Sequence, residues 1–286
     1  NQTIYFDTSI IGMKQRDKGV DVICSNPDLN GHYDAVIGAD GLYSTVRDLA
    51  FDAPPLVDLG VTNWRWVCDY STRGIQPTYM LGRKNAFLAY PIGRHQIYCY
   101  AHQADLSNQY AEPNQADQHI TQLFSDYDGI ARPLLANLPD NKAIHTGRLR
   151  SVPSPLFSEA DVALVGDASN ACSPMLQQGA AAAFEDVIVL SELLAKFSVR
   201  DALLYYKKLR YQRVNWVVKT SDDGIKSFIK VNSRWSMMAR NLLIKKNGPL
   251  NVLGWKHLLS TCPLDELTQF LQSTDISTVN MSEPVV

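Results

Sequence analysis

Polar and apolar positions change their rhythm twice along this chain. Over roughly the first fifty residues, short apolar runs alternate with turn residues. Thr3 to Phe6, Ile10 to Gln15 and Val20 to Ser25 read as strands, with Lys18-Gly19 turning the chain between the last two, and Tyr33 to Ile37 reads as a further, buried strand. From Phe51 to about Arg148 the alternation has period two. Val61 to Tyr70 predicts one strand, and Ala86 to Pro91 pairs with Gln96 to His102 across Ile92-Gly93-Arg94-His95. That alternation puts Tyr98, Tyr100 and His102 on one face and Ile97, Cys99 and Ala101 on the other. One face should pack a core; the other either lines a cavity or carries aromatic cross-strand pairs. Asp117 to Tyr127 reads as a helix with Ile120, Leu123, Phe124 and Tyr127 on one side. After Phe197 the spacing is helical throughout: first Asp201 to Lys219, then a second helix carrying Ile225, Phe228, Ile229, Trp235, Met238, Leu242 and Leu243.

One stretch organises the rest, Asp161 to Asp186, DVALVGDASNACSPMLQQGAAAAFED. Asp161 to Val165 suits a strand covered on both faces. Gly166-Asp167 breaks the pattern, Ser173-Pro174 forces extended backbone, and Gln178-Gly179 leads into the helix-forming run Ala180 to Ala183. That helix continues with Val187, Leu190, Leu193 and Leu194 as its apolar stripe. A strand feeding a small-residue helix N-terminus suits a negative group, because free N–H groups and the helix dipole point at it. The plainer reading is a core strand–helix unit whose alanines allow close packing. A second segment, Gly38-Ala39-Asp40-Gly41-Leu42-Tyr43-Ser44-Thr45-Val46-Arg47, brackets an acid with two glycines at a strand end. There the acid could bond ribose or backbone N–H groups and the arginine reach a phosphate; the plainer reading is a turn with a capping serine.

Composition narrows the function classes. With 286 residues, 45% hydrophobic and 20% charged, the chain is of ordinary globular character and long enough for one large or two ordinary domains. A net charge of −2 argues against nucleic acid as partner. No apolar run approaches the ~20 residues of a membrane span. Five scattered cysteines without a CxxC pair, and six dispersed histidines, predict free thiols in a reducing, cytoplasmic compartment and no metal. Asn1-Gln2-Thr3 and Asn280-Met281-Ser282 read as chance sequons, and the polar tail after Gln272 as mobile. Tyr205 to Lys256 holds 12 of the 27 basic residues and only Asp222 and Asp223 as acids. Lys226, Lys230 and Arg234 fall at i, i+4 and i+8, a membrane-surface face or, more plainly, a solvated face, since the apolar side is needed for the core.

Taken together, the two segments carry a resemblance. Asp34 to Arg47, DAVIGADGLYSTVR, closely resembles the DG motif of the FAD-dependent aromatic hydroxylases, the para-hydroxybenzoate hydroxylase-like single-component flavoprotein monooxygenases. Gly166 to Asp186 is similar to their second flavin signature, Gly-Asp followed by Pro-x-x-x-Gln-Gly. Tyr90-Pro91-Ile92-Gly93 and Arg148 to Ser151 also look like that family, in particular its salicylate hydroxylase, urate hydroxylase and zeaxanthin epoxidase branch. The likeness covers roughly residues 20 to 225.

The resemblance implies an α/β fold: an FAD-binding Rossmann-like domain with an inserted β-sheet substrate domain and C-terminal helices. Its expected divisions are 1–50 and 148–200 for the FAD-binding parts, 51–147 for the substrate domain and 201–286 for the helical region and tail. It implies an FAD- and NAD(P)H-dependent monooxygenase that inserts one oxygen atom from O2 into a small electron-rich substrate through a flavin C4a-hydroperoxide, with no protein nucleophile. Alternatives are a flavin oxidase or reductase on the same fold, or a flavin-free scaffold. By the same carry-over, Asp40, Gly41 and Arg47 would lie near the pyrophosphate and Gly166 and Asp167 near the ribityl or ribose region. Pro174 would stiffen the loop beside the reacting face, and the helix start around Leu176, Gln178, Gly179 and Ala180 would offer N–H donors to the flavin. Tyr98, Tyr90 and Arg65 would line the substrate side. Expected partners are a small-molecule substrate and O2, without nucleic acid or membrane association, in a monomer or homodimer. The family's N-terminal GxGxxG unit has no counterpart in the sequence, so the chain is expected to be a piece of a longer protein that binds FAD poorly by itself. Asn170 stands where the family usually has histidine. Gln177 replaces a glycine, a change that costs roughly 1–2 kcal/mol if the position needs positive φ.

Overall fold

The structure, a computed structural model, describes residues 3–273. The two sequons and the tail beyond Ser273 therefore lie wholly or partly outside the described residues. In chain order the elements begin with β1 (Ile10–Gln15), β2 (Val20–Cys24), β3 (Gly31–Tyr33), β4 (Val36–Gly38) and α1 (Thr45–Ala50). A long excursion follows: β5 (Val57–Asp69), β6 (Thr78–Leu81), β7 (Asn85–Pro91), β8 (Gln96–Ala104), α2 (Ala116–Leu123), α3 (Ala131–Ala136) and β9 (His145–Ser151). Then come β10 (Ser158–Glu159), β11 (Val162–Leu164), α4 (Asp167–Asn170) and α5 (Gly179–Leu194). The chain continues with α6 (Val199–Ile229), α7 (Arg234–Asn247), α8 (Leu250–Leu259) and α9 (Pro263–Ser273). Among the described residues no helix is long and apolar enough to cross a membrane.

The chain divides into two compact units. Of the described residues, the first holds those up to Leu56, Val152–Ser221 and those from Pro249 to Ser273; the second holds Val57–Ser151 and Asp222–Gly248. The residues after 200, expected as a region of their own, are divided between the two units.

In the first unit β11 runs parallel to β4, in register from Val162 opposite Val36 to Leu164 opposite Gly38, and β10 pairs antiparallel with β11. Parallel strands are covered on both faces, which is why VAL in β11 is wholly buried. One core joins Val20, Val22, Val36, Val46, Val162 and Leu164. The other joins Phe157, Ala163, Leu190, Leu193, Leu203 and Tyr206 beneath α5 and α6. A carboxylate ties these pieces together: Asp161 accepts from the Gly19 backbone N–H at 2.8 Å and from Arg200 Nε at 3.1 Å.

The second unit is built on one antiparallel sheet of order β6-β7-β8-β5-β9. Period two separates its faces as the sequence predicts. Trp64, Trp66, Phe87, Ile97, Cys99 and Ala101 pack with Ile120 and Phe124 of the α2 segment and Leu134 of α3. The Trp64 and Phe124 rings meet edge to face, with centroids 6.4 Å apart. At the irregularity between Asp58 and Thr62 the ladder from β5 to β9 is held by Arg148, which donates to Asp58 at 2.7 Å and Asp105 at 3.0 Å.

Four expectations are corrected. Thr3 to Phe6 is not a strand: Ile4 and Phe6 are exposed, and the segment has no paired neighbour among the described residues. Tyr33 to Ile37 is not one strand but the end of β3 and the start of β4, broken at Asp34-Ala35, where the chain leaves one sheet for another. In α5 Val187 and Leu194 face solvent, and the buried stripe is Ala182, Asp186, Val189, Leu190 and Leu193. Finally, α6 does not stop near Lys219. It runs through Gly224 to Ile229 because Ile225 and Phe228 are buried, outweighing the ~1 kcal/mol a helical glycine costs. The break comes at residues 230–233, so Lys226, Lys230 and Arg234 form no continuous stripe, and α7 buries none of its residues.

The Asp161 clamp gives a pH-dependent contribution with a defined sign. The Arg200 hydrogen bond holds the Asp161 carboxyl below its ordinary value of 3.8. A carboxyl depressed on folding contributes stability that is fully present above 3.8 and is lost as pH falls through the folded-state value. Asp161→Asn should therefore melt below the wild type at pH 7, and thermal melts at successively lower pH should show the gap closing below about pH 4.

Candidate functional site

Gly166 ends β11 with φ +58° and ψ −142°, backbone only glycine adopts without strain, and a Cβ there would sit 3.1 Å from the Ala183 Cβ. This turn brings α4 and the start of α5 side by side. Pro174 to Leu176 forms one 3-10 turn, and Gln177 reverses the chain in the left-handed region at φ 55°, ψ 36°. The positive φ on which the cost of this glutamine was conditional is therefore present. Leu176 itself is buried, its carbonyl accepting from Trp255 Nε1 at 2.9 Å while its side chain packs on Gly254. It anchors the loop from within, and Pro174 is the exposed residue of the turn.

Beyond the loop α5 starts without a cap: Gln178 makes no side-chain capping bond. The Ala182 N–H already bonds the Gln178 carbonyl, so the N–H groups of Gly179, Ala180 and Ala181 are the first-turn donors that a helix leaves unpaired. Gly179 is half-buried, and Ala180 and Ala181 are exposed. A Cβ on Gly179 would meet nothing nearer than Asp167 Oδ1, at 4.0 Å. Asp167 is exposed, and no described side chain or backbone N–H pairs with its carboxylate. The result is an accessible cradle with uncapped N–H donors on one side and an unengaged carboxylate on the other. Such an arrangement accepts a negatively charged edge at the helix and hydroxyl groups at the acid.

Beneath the cradle lies a buried ion network. Asp186 is fully buried and accepts from Gly166 N–H at 3.1 Å, Asn170 Nδ2 at 2.9 Å and Arg210 Nε at 2.8 Å. Arg210, equally buried, also reaches Glu185 at 2.9 Å, which in turn pairs with Arg213 at 2.8 Å. Burial raises the Asp186 carboxyl against the pull of Arg210. Burial also pushes Glu185 up, but Arg213 and Arg210 outweigh it and leave that carboxyl below its usual range. The Asn170 amide thus has a definite duty, a neutral donor to the buried acid. Sequence reading named Asp186 only as the end of a stretch and missed Arg210. The available signal was a charge on each apolar helix stripe, Asp186 among Ala182, Val189 and Leu190, and Arg210 near Tyr206 and Val214.

The segment around Asp40 forms a turn with a capping serine. Asp40 accepts from Ser44 Oγ at 2.5 Å and Val46 N–H at 3.1 Å, and Ser44 caps α1 by accepting from Arg47 N–H at 2.9 Å. Gly41, at φ +80°, turns the chain between them. Arg47 points inward, 3% exposed, and donates to the carbonyls of Ala168 at 3.0 Å and Leu42 at 2.7 Å. In this arrangement its guanidinium does not present itself to a phosphate; it fastens the Asp40 turn to α4.

In the second unit Arg65, Tyr90 and Tyr98 do share one sheet face, opposite the Trp64–Phe87 core: Tyr90 pairs with Tyr98, and Arg65 with Tyr100. Arg65 and Tyr90 are exposed and Tyr98 is half-buried, with burial raising its phenol. Further along β8 His102 is enclosed by the rings of Tyr79, Tyr100 and Phe228, at centroid distances of 6.3, 5.4 and 4.7 Å. Burial brings its imidazole down to about 4. The described residues contain no group of three or more His, Cys, Asp or Glu side chains placed to hold a metal ion.

The family model for squalene epoxidase matches residues 34–223, from the start of the Asp40 segment through α5 and into α6. The chain belongs to this family. Among its relatives, aurachin C monooxygenase/isomerase from Stigmatella aurantiaca is 31% identical over 186 residues, covering 64% of this chain and 48% of that protein. The 2-heptyl-3-hydroxy-4(1H)-quinolone synthase of Pseudomonas aeruginosa is 27% identical over 218 residues, covering 73% and 56%. The chain thus spans about half the length of the curated relatives it matches. Of solved structures, Klebsiella pneumoniae HpxO complexed with FAD and uric acid superposes with a TM-score of 0.73 at 20% identity, over 86% of this chain and 66% of that one. A salicylate hydroxylase substrate complex gives 0.71 at 19%, over 91% and 69%. The α/β fold expected from the resemblance is the fold of these structures, and the resemblance to the flavoprotein hydroxylases holds.

Two substitutions probe the family's second signature as it is built here. Arg210→Met strands the Asp186 carboxylate in the core, and urea unfolding should show a loss of about 3–5 kcal/mol, largely recovered when Asp186→Leu is added. Gln177→Gly relieves the left-handed residue and should stabilise by about 1 kcal/mol, whereas Gln177→Val should destabilise by at least as much.

Proposed function

We propose that the protein is an FAD-dependent monooxygenase that transfers one oxygen atom from O2 to a small, electron-rich, aromatic molecule, with NADPH or NADH as transient reductant. The carrying observation is the cradle: an uncapped, accessible α5 N-terminus beside the unengaged carboxylate of Asp167, joined through Arg47 to the Asp40 turn. These features fit FAD. The N–H groups of Gly179 and Ala180 would face its negatively charged ring edge, with Gln178 and Pro174 bordering the approach, and Asp167 would accept from its hydroxyl groups. Gly166 sets the position of Asp167, and Asp40, Gly41 and Arg47 shape the neighbouring segment from below. When bound, FAD supplies the redox chemistry with O2, which no protein side chain can. The residues of this chain bind and orient it, and hold donors where negative charge grows. Names of the relatives favour the aromatic substrate class: aurachin C, a quinolone, and the uric acid and salicylate of the solved structures. On the sheet face Tyr98 and Tyr90 offer ring surfaces and Arg65 a planar cation, a set suited to a flat, polar molecule.

A flavin titration tests this reading. FAD added to the purified chain, and to the longest product of its gene, should give a bound flavin absorbance spectrum, strongest in the long form. Asp167→Ala should weaken binding about tenfold, the worth of one hydrogen-bonded charge. NAD(P)H consumption should then be matched by oxygenated product. Absence of bound flavin in both forms would overturn the proposal, and H2O2 in full stoichiometry would reassign the protein as an oxidase.

A further inference from the structure

α7 buries none of its residues. Its inward side is polar: the Arg240 guanidinium donates to the carbonyls of Gly82 at 2.6 Å and Leu81 at 3.3 Å, with Met237 and Ile244 half-buried on the same side. The opposite side is apolar. Trp235, Met238 and Leu242, at i, i+3 and i+7, are 79%, 62% and 68% exposed, and Leu243 stands beside them. Isolated exposed apolar residues are ordinary; a large aromatic in a contiguous strip along one helix face is not.

The charged side chains of α7 itself all have one sign. Arg234 precedes Trp235, and Lys245 and Lys246 close the last turn, so that Lys245 continues the strip at i+10. Lys226, paired with Asp223 at 3.6 Å, lies in the last turn of α6, and Lys230 follows it in the same unit. Lys230, Arg234, Lys245 and Lys246 form no ion pair among the described residues. From Gly224 to Leu264 the sequence holds no Asp or Glu. This composition argues against a second copy as the occupant: a two-fold interface would bring the same lysines to face each other across it. The complementary surface is negative and apolar at once. A bilayer with anionic headgroups has both properties in layers, phosphates at the depth of the lysines and acyl chains at the depth of Trp235 and Leu242. At 14 residues α7 can lie in that boundary but not span it.

We propose that the exposed face of α7 docks the protein onto an anionic phospholipid surface, Trp235, Met238 and Leu242 entering the headgroup boundary and Arg234, Lys245 and Lys246 binding phosphates. The expectation of no membrane association rested on the apolar side of these helices being needed for the core, and for α7 that premise does not hold. The proposal is independent of flavin binding, which the cradle in the first unit governs.

Co-sedimentation of the chain with phosphatidylcholine vesicles containing about 30% phosphatidylglycerol provides the test. Binding should be clear at low salt, weaken about tenfold between roughly 0.1 and 0.5 M NaCl, and be absent on pure phosphatidylcholine. Trp235→Ser with Leu242→Ser, and separately Lys245→Glu with Lys246→Glu, should each lower binding about tenfold or more with melting temperature little changed, since these side chains are largely exposed. No binding to the anionic vesicles would overturn the proposal, as would binding that both double variants retain. Self-association in sedimentation equilibrium that the serine pair abolishes would assign the face to a second copy instead.

Discussion

The Asp186–Arg210 pair is the interaction on which the first unit depends. A carboxylate at the centre of a core costs several kcal/mol unless its charge is met and its lone pairs are filled. Here Arg210 meets the charge, and Gly166 N–H and Asn170 fill what remains. Those partners come from the turn after β11, from α4 and from α6, so satisfying one buried acid fixes three separate pieces of backbone against α5. The conformation of the Gly166 turn, and with it the position of Asp167 beside the helix start, follows from that requirement. Arg213 extends the same logic outward, gripping Glu185 while donating to the carbonyls of Leu258 and Thr261, which brings α8 and its Trp255 to the loop at Leu176.

The cradle above this network is therefore rigid where it is built and open where it would bind. Its donors are backbone N–H groups, which carry no sequence signature beyond small size, and its acceptor is an acid whose carboxylate forms no bond among the described residues. The substitutions in the loop bear on this division differently. Asn170 donates one of the hydrogen bonds that the buried acid needs. Gln177 holds a left-handed conformation that glycine would adopt without strain, and the loop carries that cost locally.

The second unit rests on a simpler constraint. Strict alternation in β5, β7 and β8 gives one face to tryptophan and phenylalanine and the other to tyrosine, histidine and arginine, and the register pairs Tyr90 with Tyr98. Because one face packs fully against α2 and α3, a one-residue slip would bury Arg65 and expose Trp64. The arrangement of the polar face is thus a by-product of how well the apolar face packs.

Much of this was legible in the sequence, for identifiable reasons. The β7–β8 hairpin, the two-faced strand around Trp64 and the strand–turn–helix around Gly166 follow from period and turn residues, which are local, and the family from the resemblance carried by the Asp34–Arg47 and Gly166–Asp186 segments. What failed was also consistent in kind. The strand expected at Thr3 had apolar residues but no partner among the described residues, and the helix end expected near Lys219 was overridden by the burial of Ile225 and Phe228. In both cases the outcome depended on what the rest of the fold did or did not bring alongside. The sequence by itself determined most of the elements, the two faces of the β5, β7 and β8 sheet and the chemistry on offer. Tertiary structure alone decided which charged groups are used up inside, as Asp186, Arg210 and Arg47 are, and which stay exposed, as Asp167 and the α7 lysines do, because whether a polar group is paired depends on neighbours that only folding brings together.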